Sequence, residues 1–324
     1  MRRISYSKRI EKLVKIDKPF ILISQIQRSG GTLLSQLFDG HPECFAHPNE
    51  IKWGKPKKWD WPDHKPQKLG AKKLFRLIHE EWIDPFAKHG FYKKSPKKTH
   101  EEYPFVFDLR LQKSIFYMLV KHTPPLSMRS ALDYYLTAFF NAWIDHQNLY
   151  APGKKFVTGF IPRLIMHEES LSRFFSDYPE SYVISSIRHP AGWYSSAANH
   201  GYKKHGDIKN QLQFWIDSTK AILKAKKQHG DKIIVKTFED LVKKPDQTMI
   251  EIAQHTKIEW HKTLVQPTFN SMPIQSNSHF KGVDFIDPAV ADNYKQVLDI
   301  ETIDLIEKHT AEIYDEALTS GLLT

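Results

Sequence analysis

Twice along this chain a short apolar run ends in an abrupt polar turn and passes straight into a helical pattern, and that order constrains the fold more than any other feature. The first run covers 19–26 (PFILISQI), followed by Gln27 to Gly31 and then apolar residues at helical spacing over 32–38. The second starts at Tyr182 (YVISSI), is closed by Arg188 and His189, and continues through Pro190, a residue that the first turn of a helix tolerates. A third strand is expected over 232–237 (KIIVKT), with an acidic helix start at Glu239 and Asp240 and a further helix from about Asp246. A weaker strand pattern lies at 156–161. Apolar strands alternating with helices predict a parallel sheet covered on both faces, with ligands bound beyond the carboxyl ends of the strands.

The expected fold is therefore α/β: a P-loop-like three-layer domain over 1–324, its central parallel sheet flanked by helices and interrupted by a largely helical insert at 52–154. The clearest helical pattern of the insert spans 126–149, and the segment is a candidate lid on the acceptor side. Its first part, 52–68, sets Trp53, Trp59 and Trp61 among lysines, which suits either a platform for sugar rings or a packed lid. A closing amphipathic helix is expected over 301–318.

Basic residues outnumber acidic ones, 47 to 37, and the net charge of +10 favours anionic partners without choosing among them. The run 93–98 (KKSPKK) reads as a solvated loop; no recognition module accompanies it, so nucleic acid is not an expected partner. The one cysteine, Cys44, cannot form an intrachain disulfide, reads as a small buried hydrophobe and leaves a cytoplasmic setting as the default. Every apolar run falls short of the roughly 20 residues that span a bilayer, so no membrane span is expected.

The segment 25–32 (QIQRSGGT) overlays the nucleotide triphosphatase pattern G-x-x-x-x-G-K-[ST], with Gln25 in place of the first glycine and Gly31 in place of the lysine. The anion cradle survives this change. Gly30 and Gly31 permit close backbone approach, the new helix directs unpaired N–H groups and its positive end at the ligand, and Arg28 adds a forked donor. Without the lysine, and without an acidic residue ending another strand to hold magnesium, a kinase or ATPase is disfavoured and no metal is expected. A transferase whose nucleotide already carries the group to be moved fits better.

Residues 28–34 (RSGGTLL) followed by 37–43 (LFDGHPE) resemble the RSGTTLL…LLDxHPE signature of sulfotransferases dependent on 3′-phosphoadenosine 5′-phosphosulfate (PAPS), especially their carbohydrate and tyrosylprotein branches. The resemblance implies that Gln27, Arg28, Ser29, Gly30, Gly31, Thr32 and Leu33 hold the 5′-phosphosulfate, with Gly31 standing where threonine is usual. It also implies that Arg188 of the IRHP segment and Ser196 share the 3′-phosphate; Gly192 occupies a position that is usually acidic or polar. The stretch 238–242 (FEDLV) is similar to the family's YEDLv segment, and its Glu239 and Asp240 are expected to start a helix rather than touch ligand. Residues 267–280 resemble a C-terminal loop of carbohydrate-type members, which brings Ser278, and the pair Lys281-Gly282 echoes a basic contact to the 3′-phosphate.

An acceptor hydroxyl loses its proton as sulfur is transferred, so a base is expected within hydrogen-bond reach. Similarity to the tyrosylprotein branch points to Glu50, nine residues after His41, with His47 of the same loop as the second candidate. The resemblance thus implies PAPS as co-substrate, 3′,5′-adenosine bisphosphate (PAP) as product, and a saccharide or related small hydroxyl compound as acceptor. The competing reading is a non-catalytic binder of nucleotides or anionic glycans on the same fold, for which Gly31 and Phe238 are the hints.

Overall fold

Phe20, Ile21, Leu22 and Ile23 are all fully buried, as expected of a strand with partners on both edges and helices over both faces. In the computed structural model, which describes residues 6–91, 103–198, 206–274 and 286–324, this strand is the centre of a five-stranded parallel sheet. The strands are β1 (Phe20–Ile23), β2 (Cys44–Glu50), β3 (Phe156–Phe160), β4 (Tyr182–Ile187) and β5 (Ile233–Thr237), in the spatial order β2-β3-β1-β4-β5. From β1 the chain goes to the edge of the sheet at β2, returns to β3 beside β1, and then crosses to the other side at β4. That change of side lies at the carboxyl ends of β1, β3 and β4, where open α/β sheets bind ligands.

Successive residues of β1 serve opposite faces. Phe20 and Leu22 join a large core with the insert helices and the helices Glu168–Asp177 and Ile208–His229. Ile21 and Ile23 pack instead on Leu34, Leu37 and Phe38 of the helix Gly31–Phe38 and on Met249, Ile252 and Ala253 of the helix Pro245–Thr256. The α/β three-layer architecture is that expected from the alternating pattern. The helix Pro190–Ala198 does begin at its proline, and the closing helix runs Ile300–Thr319.

Two expectations are corrected. The stretch holding His47 and Glu50 is an edge strand, not a loop: β2 pairs with β3 through Cys44, Phe45 and Ala46, then shifts register before Glu50 meets Phe160. Pro48 falls in that shift, at a sheet edge, which is where a strand can do without a backbone donor. The helix expected over 126–149 runs only Met128–Ala142, started by a capping box at Ser127 and followed by an irregular turn in which Trp143 bridges to Phe107.

The insert also contains the helices Ala71–Ile78, Ile83–His89 and Leu109–His122. Of its tryptophans, Trp53 and Trp61 are 0% and 1% exposed, which removes both from any sugar platform. Their rings meet Phe20 of β1 edge-on at 6.3 and 6.1 Å.

Candidate active site

The loop after β1 is held from below by the neighbouring strand. Ser185 and Ser186 of β4 donate their hydroxyls to the carbonyls of Ser24 and Ser29. Within the loop, Arg28 and Gly30 both take left-handed backbone, φ 75° and 87°. For glycine this is free; for Arg28 it costs about 1–3 kcal/mol, a strain that clusters at ligand-binding turns. Gly30 then caps the helix Gly31–Phe38 with no side-chain hydrogen bond to its first turn, so a glycine cap faces the space beyond the sheet. Left-handed residues alternating with ordinary ones before such a helix make a concave nest of N–H groups suited to an anion.

Two arginines from different strand ends converge there. Arg28 Nε donates to Ser196 Oγ at 2.9 Å, and Arg188 Nη1 donates to the Arg28 carbonyl at 2.9 Å. The second Arg188 amine reaches the Val290 carbonyl at 3.1 Å, and its guanidinium lies 4.3 Å from the centre of the Phe238 ring. Burial pushes Arg188 down to about 10, partly offset by the nearby Glu239 carboxylate, so it keeps its charge at neutral pH. Arg188 Nε is buried with no hydrogen-bond partner among the described residues, a cationic donor of the kind an oxyanion satisfies. Gly192 has a local reason: a Cβ there would stand 3.3 Å from Arg188 Nε.

Of the two residues expected to share the 3′-phosphate, Ser196 bonds to Arg28 and Arg188 braces the loop backbone. Gln27, Ser29, Gly31, Thr32 and Leu33 belong to the same loop and helix start. Ser278 and Lys281 lie outside the described residues.

Several contributors carried no readable signal. Trp193 Nε1 donates to the Gln27 carbonyl and Trp215 Nε1 to the Arg188 carbonyl, each at 3.0 Å. Arg163, three residues past β3 and left-handed at φ 68°, donates from Nε to Gln27 Oε1 at 2.7 Å. Its guanidinium lies between the rings of Trp59 and Phe214, 4.5 and 4.6 Å from their centres. Thr237 caps the helix Phe238–Lys243 by accepting the Asp240 N–H at 3.0 Å, which sets Asp240 in the first turn, while Glu239 reaches out to accept the His189 N–H at 3.1 Å.

Beside the loop opens a shallow cleft, partly open to solvent and lined among others by Thr32, Glu50, Phe86, Phe91, Phe160 and Ile274. Glu50 stands at the carboxyl end of β2 with Lys52 Nζ 3.6 Å away. His47 is placed otherwise: fully buried, it is stacked on Phe139 and bonded through Nδ1 to the Asn49 carbonyl at 2.8 Å and through Nε2 to Glu80 at 2.9 Å. Both ring nitrogens are committed to the core. Cys44 is buried, its thiol pushed up to about 12, and is inert as a nucleophile.

The second half of the signature is structural. Asp39 is buried and accepts from Thr268 Oγ1 and Ser271 N, both at 2.8 Å, which fastens the short hairpin Thr268–Phe269/Met272–Pro273 to the end of the helix Gly31–Phe38. His41 Nε2 lies 2.9 Å from the Glu259 carbonyl, and Glu43 pairs with Lys155 at 2.7 Å.

A parallel sheet with a glycine-capped helix start, two convergent arginines and an adjoining cleft defines an α/β protein whose sheet end can receive an anion. The Sulfotransferase family matches residues 19–262, more than half of the chain, and the protein belongs to that family. Among solved structures, the sulfotransferase domain from the Synechococcus PCC 7002 olefin synthase is similar in fold, with a TM-score of 0.54 at 17% identity over 91% of this chain and 95% of that one. The sulfotransferase domain from the Curacin biosynthetic pathway has a TM-score of 0.50 at 19% identity, covering 92% of this chain and 99% of its own. A comparison with curated protein sequences gives no significant match. Among the described residues, no helix is long and apolar enough to cross a membrane.

Proposed function

We propose that the protein transfers the sulfuryl group of PAPS to an acceptor hydroxyl. The observation that carries this reading is the convergence of Arg28, Ser196 and the buried Nε donor of Arg188 at the ends of β1 and β4. A nucleotide with phosphates at both 3′ and 5′ positions offers one anion to the helix start and a second to the Arg188 segment. PAPS supplies a sulfuryl group already joined to a good leaving phosphate.

In this reading Glu50 takes the proton of the acceptor hydroxyl as its oxygen forms the new bond to sulfur. Arg28 and the N–H groups at the start of the helix Gly31–Phe38 stabilise charge growing on the phosphate oxygen as the old S–O bond breaks. Thr32 and Glu50 line one cleft, which supports a base at Glu50 working beside the donor loop. His47, closed into the core, has no part in it.

Calorimetric titration with PAP beside 5′-AMP tests the donor assignment. PAP should bind at least tenfold more tightly, and Arg188→Ala should remove most of that difference, since a charged hydrogen bond is worth about 1.5–3 kcal/mol. Equal affinity for the two nucleotides would overturn the reading. Specific PAP binding without any PAPS turnover would leave a nucleotide-binding protein on the same fold.

A further inference from the structure

Two glutamines stand at the turn after β1, and their side chains are treated differently. Gln27 is half-buried, and Arg163 holds its side-chain oxygen at 2.7 Å. Gln25 is 0% exposed, and neither Oε1 nor Nε2 of its side chain has a hydrogen-bond partner among the described residues. A buried amide in this state costs free energy until a polar group meets it.

Main-chain bonds fix its position. The Gln25 carbonyl accepts the Arg163 N–H at 3.1 Å, the preceding Ser24 N–H donates to the Ile184 carbonyl at 2.9 Å, and Ser24 Oγ accepts the Ile165 N–H at 3.0 Å. Strand β4 on one side and the connection after β3 on the other therefore hold this segment, and the amide is left uncommitted.

That amide lies against the start of the helix Gly31–Phe38. Gly31 is the first residue of the helix, and a Cβ there would stand 2.7 Å from Gln25 Nε2. Gly31 has no side chain to offer a ligand, and the same space meets the ring of Phe160, an apolar neighbour that offers the amide no hydrogen-bonding oxygen. The unpaired N–H groups and positive end of a helix start favour an anion, and an amide N–H beside them adds a donor without adding charge. For packing alone, a methionine of similar length would serve without polar atoms to desolvate.

We infer that Gln25 is a further donor-binding residue: its side-chain amide donates through Nε2 to the oxyanion seated at the start of the helix Gly31–Phe38, the 5′-phosphate end of the nucleotide. This rests on the donor reading above and adds to it a contact from the end of β1, before the turn that carries Arg28.

The test is calorimetric titration of the full chain carrying Gln25→Met or Gln25→Leu with PAP and with 5′-AMP, beside thermal unfolding of the nucleotide-free proteins. Both nucleotides carry the 5′-phosphate, so each variant should weaken both by the same factor, about tenfold to a hundredfold, the scale of a hydrogen bond to a charged group. Arg188→Ala, in contrast, should act on PAP alone. Without nucleotide, at least one of the two variants should unfold at the wild-type temperature or above it, since it no longer buries an unpartnered amide. Unchanged affinity in either variant, or a loss confined to PAP, overturns the inference. So does a lower unfolding temperature in both, the mark of an amide kept for structure. The donor reading fails separately: wild-type protein that binds PAP no better than 5′-AMP overturns it, while the effect of Gln25 on the shared 5′-phosphate is still read.

Discussion

A methyl group on Gly31 has nowhere to go. Its Cβ would stand 2.7 Å from Gln25 Nε2 and closer still to the Phe160 ring, so the position usually filled by threonine in the resemblance is here filled from the side by a phenylalanine. The glycine and the phenylalanine are one feature, and they should couple. Gly31→Ala should weaken PAP binding tenfold or more by displacing the loop, and Gly31→Ala combined with Phe160→Ala should recover much of that loss; strict additivity in calorimetry would refute the coupling. Glu50 gives the complementary test at the acceptor. Glu50→Gln should lower kcat about a hundredfold with PAP affinity unaltered, because it removes a proton acceptor and leaves the donor loop intact. Near wild-type turnover would dismiss Glu50 as the base. Gly31 was legible as a departure in the sequence, but its reason was not, since Phe160 is more than a hundred residues away along the chain.

Elements carry the next level of organisation, and the connection after β3 shows it. Arg163 sits there between Trp59 of the insert and Phe214 of the helix Ile208–His229, holding the side chain of Gln27. Three separate segments thereby fix one loop. Arg163 is a positioning residue, and Arg163→Gln should weaken PAP binding roughly threefold to tenfold, the scale of a cation–π contact plus a hydrogen bond, with acceptor KM unaffected. Trp59→Ala should reproduce part of the loss and Trp59→Phe less of it; a fall in thermal stability with no change in donor affinity would mark the contact as purely structural. Element identity was mostly readable: β1, β3, β4 and β5 follow apolar runs bounded by turn residues. The edge strand β2 was not, because Pro48 and Asn49 break its pattern and an edge strand with a register shift has little need of one.

At the scale of the whole molecule, the insert is continuous with the core. Trp61 donates its backbone N–H to Ser170 Oγ and its indole N–H to Asp177 Oδ2 at 2.7 Å, while its ring packs on Phe20, Phe174 and Tyr178. Trp61→Ala should therefore cost about 3–5 kcal/mol, and thermal unfolding should remain one transition for sheet and insert together. An early separate transition for the insert would contradict this. The sequence by itself determined the α/β order, the glycine turn after β1 and the arginine after β4, because hydrophobic period, glycine turns and a helix-starting proline are local properties written within about ten residues. It could not determine that Ser196 meets Arg28, that Arg163 braces Gln27, that His47 is sealed against Glu80, or that phenylalanines rather than tryptophans face the cleft. Those facts depend on contacts between residues from tens to well over a hundred positions apart, and only the pairing of β3 and β4 with β1, together with the packing of the insert on the sheet, brings them together.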